Sequence, residues 1–263
     1  MSRIAILTRP AGRNAELARQ LGRRGWQALD LPALQIEPLP ISERDLPRPQ
    51  DYDLVVFVSS AAAGRYLEQL AQAGQASWPA ATIAATVGPA SAAALRASPA
   101  FGADARLVHP PPQAPRHDSE ALWAELERCA LRPRRVLLVR ATQGRDWLAE
   151  RLSAAGASVS RHEAYRRSPA CWSAEDACRL RSWQAAGCHP AWLLTSGEGI
   201  EAVSASIRRL ELQAWWAQCR FVVTHPRLAE RLAACLSGSS KPVVQICTPE
   251  EAAIVQAFAA FGD

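Results

Sequence analysis

Six junctions where a short β-branched run gives way to an amphipathic stretch carry residues able to hold an anion. They are Thr8-Arg9, Ser59-Ser60, Gly88-Pro89, Arg140, Thr195-Ser196 and Thr224-His225. Where a parallel strand ends and a helix begins, the first helical N–H groups are unpaired and carry partial positive charge, so the turn can seat a carboxylate or phosphate. An arginine adds a bidentate fork. A Ser or Thr at such a turn also serves as a plain N-cap. Six of these turns together point to an anion-binding cleft. Tyr165, in Glu163-Ala164-Tyr165-Arg166-Arg167, stands at an exit from one run toward the next. Its phenol can donate a hydrogen bond or a proton to a leaving oxygen, or its ring can simply pack at a domain seam.

Other chemistries find no support. The seven cysteines (Cys129, Cys171, Cys178, Cys188, Cys219, Cys235, Cys247) form no CxxC pair and, being odd in number, read as reduced, mostly buried side chains. The five histidines (His109, His117, His162, His189, His225) lack metal-ligand spacing. Gly197-Glu198-Gly199-Ile200-Glu201-Ala202 matches a dinucleotide fingerprint, but that reading needs an acid at the end of the next strand, and 220–225 has none. There is no Walker A sequence, nucleophile elbow or kinase motif set.

The elements that must position these residues follow from hydrophobic periodicity. Strands are predicted at 4–8, 27–31, 54–59, 82–87, 106–109, 136–140, 158–162, 191–195, 220–224 and 243–247, with amphipathic helices in nearly every gap. In 144–155, Trp147, Leu148 and Leu152 have helical spacing and Gly156 supplies the stop. Thr248-Pro249-Glu250-Glu251 reads as an N-cap, a first-turn proline and acids opening a helix. Ten strands suit two five-stranded sheets. The order also repeats: Ile6-Leu7-Thr8-Arg9 through Leu17, Leu21 and Gly25 recurs as Leu137-Leu138-Val139-Arg140 through Leu148, Leu152 and Gly156. Gly88-Pro89 with Leu95 recurs as His225-Pro226 with Leu232, and Phe57-Val58-Ser59-Ser60 as Leu193-Leu194-Thr195-Ser196. A duplicated α/β architecture is the economical reading. Pro-rich stretches at 38–49 and 110–115 mark seams, the second a stiff surface loop or a ligand for an SH3-type partner.

Composition agrees. The chain has 263 residues, 49% hydrophobic and 21% charged, which is ordinary for a globular protein of two domains. The formal charge is +5, and of 30 cationic side chains only Lys241 is a lysine. The arginines are scattered rather than gathered in a stripe with aromatics, which argues against nucleic acid. No apolar run approaches the roughly 20 residues of a membrane span, and Met1-Ser2-Arg3 leads directly into a strand without a signal peptide, so a cytoplasmic location is expected.

In order along the chain, several short motifs resemble the uroporphyrinogen-III synthase family. They are Thr8-Arg9-Pro10, Asp51-Tyr52-Asp53 leading into Phe57-Val58-Ser59-Ser60, Val87-Gly88-Pro89 before Ala92 and Leu95, and Ser119-Glu120-Ala121-Leu122. Leu138-Val139-Arg140 with Gly144-Arg145 and Leu148 follows, then Ala164-Tyr165-Arg166-Arg167, Leu194-Thr195-Ser196, and Thr224 with Pro226-Arg227-Leu228-Ala229-Glu230. Ala61, Ala141 and His225 depart from the family pattern, where Asn, Gly and Ser are usual.

The resemblance implies an α/β fold of two flavodoxin-like or Rossmann-like parallel-sheet domains with a cleft between them. The first domain is discontinuous, 1–36 plus 169–263, the second is inserted as 41–162, and 34–40 and 163–168 run side by side as a two-stranded connector and hinge. It further implies cofactor-free, metal-free cyclisation of hydroxymethylbilane to uroporphyrinogen III, with inversion of the last pyrrole ring and loss of water. Tyr165 takes the role of hydrogen-bond donor or general acid toward the leaving hydroxyl. Ser60, Gly88, Thr195, Ser196 and Arg227 are expected to bind the carboxylates of the tetrapyrrole. Arg9, Arg140 and Arg145 are electrostatic contributors or, equally, structural ion pairs. The expected partners are this polycarboxylate and, transiently, the upstream hydroxymethylbilane synthase. A monomer acting on neither membrane nor nucleic acid is expected. The rival class is a non-catalytic two-lobed binder or sensor of small anions, which the missing signal peptide and helix-turn-helix argue against.

Overall fold

The computed structural model describes residues 3–75, 77–236 and 242–261. Its N-terminal part runs β1 (Arg3–Leu7), α1 (Ala15–Gly22), β2 (Trp26–Asp30), β3 (Leu34–Pro38), β4 (Leu54–Phe57), α2 (Ser60–Gln72) and β5 (Ile83–Thr86). Then come α3 (Pro89–Arg96), β6 (Leu107–Val108), α4 (Ser119–Arg128), β7 (Arg135–Ala141), α5 (Trp147–Ala154) and β8 (Ser158–Pro169). The C-terminal part adds α6 (Ala174–Ala185), β9 (Ala191–Leu194), α7 (Gly197–Arg209), α8 (Gln213–Trp216), β10 (Arg220–Val223), α9 (Pro226–Cys235), β11 (Val243–Ile246) and α10 (Glu251–Ala259). The chain divides into two compact units, one of Met1–Gln35 with Ser168–Asp263 and one of Ile36–Arg167.

Each unit is built on a mainly parallel sheet. The first has the order β11-β10-β9-β1-β2, the second β3-β8-β7-β4-β5-β6. Two five-stranded sheets were the expectation, and the sixth strand is β3. The Leu39 N–H donates to the Ala164 carbonyl and the Ala170 N–H to the Ala33 carbonyl, so numbers fall along β8 as they rise along β3 and the pair is antiparallel. The strand expected at 158–162 accordingly continues without a break to Pro169. A second difference lies at the last helix, which opens at Glu251 with Glu250 as N-cap and no side-chain capping bond. Thr248 is therefore not the cap.

Strand residues alternate between two helix-covered faces, because successive side chains in a strand point to opposite sides. In the second unit Val55, Phe57, Leu137, Val139 and Ala141 pack with Ala62, Tyr66, Leu67 and Leu70 of α2. Leu54, Val56, Val136 and Leu138 pack on the other face with Leu122 and Leu126 of α4 and Leu148 and Leu152 of α5. The first unit repeats the plan. Ala5, Leu7, Leu193 and Val222 face α1 and α10, while Ile4, Ile6, Trp192 and Phe221 face α7 and α9.

The internal repeat is visible in the sheet order. Matching β7 to β1, β4 to β9 and β5 to β10, as the recurring motifs require, makes β8 the counterpart of β2 and β6 that of β11, and the two sheets then have the same order. That order is 2-1-3-4-5, the flavodoxin-like one. Its consequence is a switch point in each sheet, where the helices after two adjacent strands leave to opposite faces. In the first unit it falls between β1 and β9, in the second between β7 and β4. Ligands of open parallel sheets bind in that crevice, at the carboxyl ends of the strands.

One buried polar network braces the second unit beneath this edge. His162, on β8, is 5% exposed. Gln69 donates its amide to the Leu39 carbonyl at 3.0 Å, which turns its carbonyl oxygen toward His162 Nε2 at 2.7 Å. That oxygen can only accept, so His162 Nε2 carries a hydrogen and donates it, with the ring against Tyr66. Burial lowers its pKa. The unfolded chain therefore takes up a proton on this side chain at higher pH than the folded one, and stability rises with pH across that interval. Acidification below about pH 6.5 should destabilise the protein by up to about 1.4 kcal/mol per pH unit until the folded-state pKa is passed. Thermal unfolding followed against pH should show this slope in the wild type and its reduction in His162→Asn. Equal slopes would exclude His162 as the source.

Candidate active site

Tyr165 is placed by an irregularity in the pairing of β7 with β8. Val139 pairs with His162 and Arg140 with Glu163, but Ala141 pairs with Tyr165, so Ala164 is an extra residue on β8. With regular alternation His162 and Ala164 would share the α2 face and Tyr165 would point away from it. The bulge lets both Ala164 and Tyr165 join the α2-side core. The ring is 4% exposed. On this face the neighbouring residue of β7 is Ala141, whose small side chain leaves the phenol room to lie across β7 toward the end of β4. There the Tyr165 hydroxyl meets Ser59 Oγ at 3.0 Å.

Ser59 is the N-cap of α2, in extended conformation, and its Oγ accepts the Ala62 N–H at 3.0 Å. The pair thus sits at the carboxyl edge beside the β7/β4 switch point, with the N-terminal turn of α2 next to it. The register of these two strands is pinned at their opposite ends. Asp53, just before β4, accepts the backbone N–H groups of Arg134 at 2.8 Å and Arg135 at 2.9 Å, which hold its carboxyl below the usual range.

The other anticipated residues fall into three groups. Ser60 is the first residue of α2, and Gly88 is the N-cap of α3 on the adjacent strand. A Cβ at Gly88 would lie 2.9 Å from the Cβ of His117, so glycine is required by the close approach of the loop that follows the prolines. His117 is anchored there through Nε2, which donates to the Pro111 carbonyl at 3.1 Å. Gly88→Ala is expected to cost about 1–3 kcal/mol by overpacking, measured as a fall in unfolding midpoint. An unchanged midpoint would show that the loop yields freely.

The three arginines are engaged within the protein. Arg140 is 7% exposed and its guanidinium closes the turn after β7. It donates to the carbonyls of Ala141 at 3.1 Å and Gly144 at 2.8 Å and pairs with Asp146. Gly144 has a φ of +157°, and a Cβ there would lie 3.1 Å from the Arg140 guanidinium. Arg145 pairs with Glu120 at 2.5 Å. Arg9 pairs with Glu251 at 3.6 Å and donates to the Pro249 carbonyl, and burial depresses its pKa against the opposing pull of Glu251.

In the first unit Ser196 caps α7, its Oγ accepting the Gly199 N–H at 3.0 Å, and half-buried Thr195 precedes it at the β1/β9 switch point. The dinucleotide-like glycines have packing reasons instead. A Cβ at Gly197 would meet Arg231 at 3.0 Å and one at Gly199 would meet Ser196 Oγ at 2.9 Å. His225 caps α9, Nδ1 accepting the Arg227 N–H at 3.1 Å, so it performs the capping a Ser would. The Arg227 side chain is exposed. Thr8, by contrast, is buried and donates to the Leu193 carbonyl at 2.5 Å, tying β1 to β9.

A cavity of about 390 Å³ lies elsewhere, beside β3 and the far end of α2, lined by residues including Leu39, Arg65, Gln69 and Ala73. At 1.5 Å per helical residue Gln69 is about 15 Å from Ser59, so this cavity is not part of the edge described. Among the described residues no group of His, Cys, Asp and Glu could hold a metal ion, and no helix is long and apolar enough to cross a membrane.

A family model described as uroporphyrinogen-III synthase HemD matches residues 15–241. The chain belongs to the uroporphyrinogen-III synthase family. Two curated members agree across most of their length. The uroporphyrinogen-III synthase of Salmonella typhimurium is 29% identical over 232 residues, covering 85% of this chain and 88% of that protein. The one from Escherichia coli is 28% identical over 229 residues, covering 86% and 88%. Among solved structures, the Helicobacter pylori uroporphyrinogen-III synthetase superposes with a TM-score of 0.60 at 14% identity, over 98% of this chain and 99% of that one. A mutant uroporphyrinogen III synthase from Thermus thermophilus gives 0.54 at 16% identity, over 98% of each. These structures share the two-domain α/β fold. Reading from the sequence places Ser59-Ser60 together at this junction and carries only Ser60 forward as a carboxylate ligand, whereas in the structure Ser59 is the cap of α2 and the partner of Tyr165. Which of two adjacent serines caps a helix depends on where the helix begins, and three alanines after them leave that open in the sequence.

Proposed function

We propose that this chain is a lyase that cyclises hydroxymethylbilane to uroporphyrinogen III, inverting the last pyrrole ring and releasing water, in tetrapyrrole biosynthesis. The reading rests on family membership, and the observation that supports the mechanism is the Tyr165 phenol held against Ser59 at the β7/β4 switch point. The substrate's terminal hydroxyl leaves as water once it gains a proton, and the phenol is the donor in this reading. The pyrrole nitrogen supplies the electron pair that expels it, leaving an azafulvenium cation. The α-carbon of the last ring that carries the chain's methylene attacks this cation to form a spiro intermediate. That carbon's original methylene bond breaks to give an azafulvenium on the neighbouring ring, and the free α-carbon of the last ring bonds to that methylene, the proton it loses balancing the one given.

The protein's share is to fold a flexible chain into reactive shape and to assist one departure. The N-terminal turns of α2, α3 and α7, with Ser60, Gly88, Thr195 and Ser196, are suited to the carboxylates, and exposed Arg227 adds a fork. Arg9, Arg140 and Arg145 shape the edge through their internal partners. The reaction needs no cofactor in this scheme and suits a cytoplasmic enzyme that receives its unstable substrate from the preceding synthase. Incubation of the purified chain with enzymatically generated hydroxymethylbilane, followed by separation of product isomers, tests the reading. Type III product is expected, and type I alone, the product of spontaneous closure, would refute it.

A further inference from the structure

Either hydroxyl of the Ser59–Tyr165 pair can be the donor, and the bond that Ser59 already accepts favours Ser59 in that role. Ser59 Oγ already accepts a hydrogen bond, from the Ala62 N–H at 3.0 Å, as the N-cap of α2. A hydroxyl that accepts one bond is polarised to donate its own proton, and bonds chained in this way strengthen each other. The acceptor within reach is the Tyr165 phenolic oxygen at 3.0 Å. The opposite direction would spend the tyrosine proton on Ser59 and leave none for a ligand. A chain running from the Ala62 N–H to Ser59 and from Ser59 to Tyr165 leaves the phenol proton free at its end. Both ends of this hydrogen-bonded chain are packed in the core. Ala62 is fully buried in the first turn of α2, and the Tyr165 ring is clamped by the bulge and by Ala141.

We infer that Ser59 is a positioning residue for the reaction: by donating to the Tyr165 oxygen it directs the phenol proton toward the leaving hydroxyl. This rests on the reading of Tyr165 as proton donor, and the two can be separated. The variants are Ser59→Gly, Ser59→Thr, Tyr165→Phe and the double variant Ser59→Gly/Tyr165→Phe, assayed for type III formation. Glycine is itself an accepted N-cap, so Ser59→Gly removes the hydroxyl with little effect on α2, checked by its unfolding midpoint. Threonine keeps both the cap and the donor.

Ser59→Gly is expected to lower kcat about tenfold with KM changed less than twofold, Ser59→Thr to restore the rate, and the double variant to be no slower than Tyr165→Phe. A wild-type kcat in Ser59→Gly, an effect confined to KM, or a further tenfold loss in the double variant would overturn the positioning role. If instead Tyr165→Phe retains the wild-type rate, the proton-donor reading fails first and takes this inference with it.

Discussion

Tyr165→Phe should lower kcat for type III formation by roughly 100-fold or more, the range for loss of a positioned general acid, while leaving KM within a few-fold. The ring is what the core of the second unit uses, since Tyr165 packs with Ala141, Ala164 and Val139 on the α2 face. Phenylalanine keeps that ring. The hydroxyl makes one contact, with Ser59 at 3.0 Å, so its removal costs about 1 kcal/mol of stability. A large kinetic effect with a small thermal one is therefore the signature of a chemical role. Equal and large losses in both would assign Tyr165 to the structure alone.

The second large effect is of the opposite kind. Arg140→Met should lower stability by about 3 kcal/mol, because a nearly buried guanidinium bonded to two carbonyls and a carboxylate is lost together and the turn of residues 141–146 opens. Asp146 is half-exposed and can be rehydrated, which keeps the loss from being larger. At temperatures where the variant is folded, KM should rise less than threefold, since every nitrogen of Arg140 is spent inside the turn. Thermal unfolding and steady-state kinetics separate the cases: a KM raised tenfold or more at unchanged stability would mean that Arg140 reaches the substrate.

Much of the architecture was legible in the sequence because a doubly wound sheet writes itself as buried β-branched runs between amphipathic helices. The repeat Leu138-Val139-Arg140 on Leu7-Thr8-Arg9 even anticipated that β7 and β1 hold the same place in their sheets. What stayed hidden depends on hydrogen bonds between distant residues. The resemblance sets 34–40 beside 163–168 as a separate connector, but nothing in Leu34–Pro38 alone says that β3 joins β8 as the sixth strand of one sheet. The bulge at Ala164 that turns Tyr165 toward α2 leaves no mark in composition or period, because Ala-Tyr reads alike in either register. Arginines were the least legible, for Arg9, Arg140 and Arg145 look alike in sequence and are distinguished only by the carboxylates and carbonyls folding brings to them. Helix-start serines were ambiguous by one position, and that position decides which hydroxyl touches Tyr165.

The most direct test is a race against spontaneous ring closure. Hydroxymethylbilane released into an excess of the wild-type chain should give almost entirely type III product, whereas the same excess of Tyr165→Phe, slowed about 100-fold, should give a product dominated by type I. A type III fraction equal in the two would contradict the claim that the phenol at the β7/β4 switch point drives the departure of the hydroxyl.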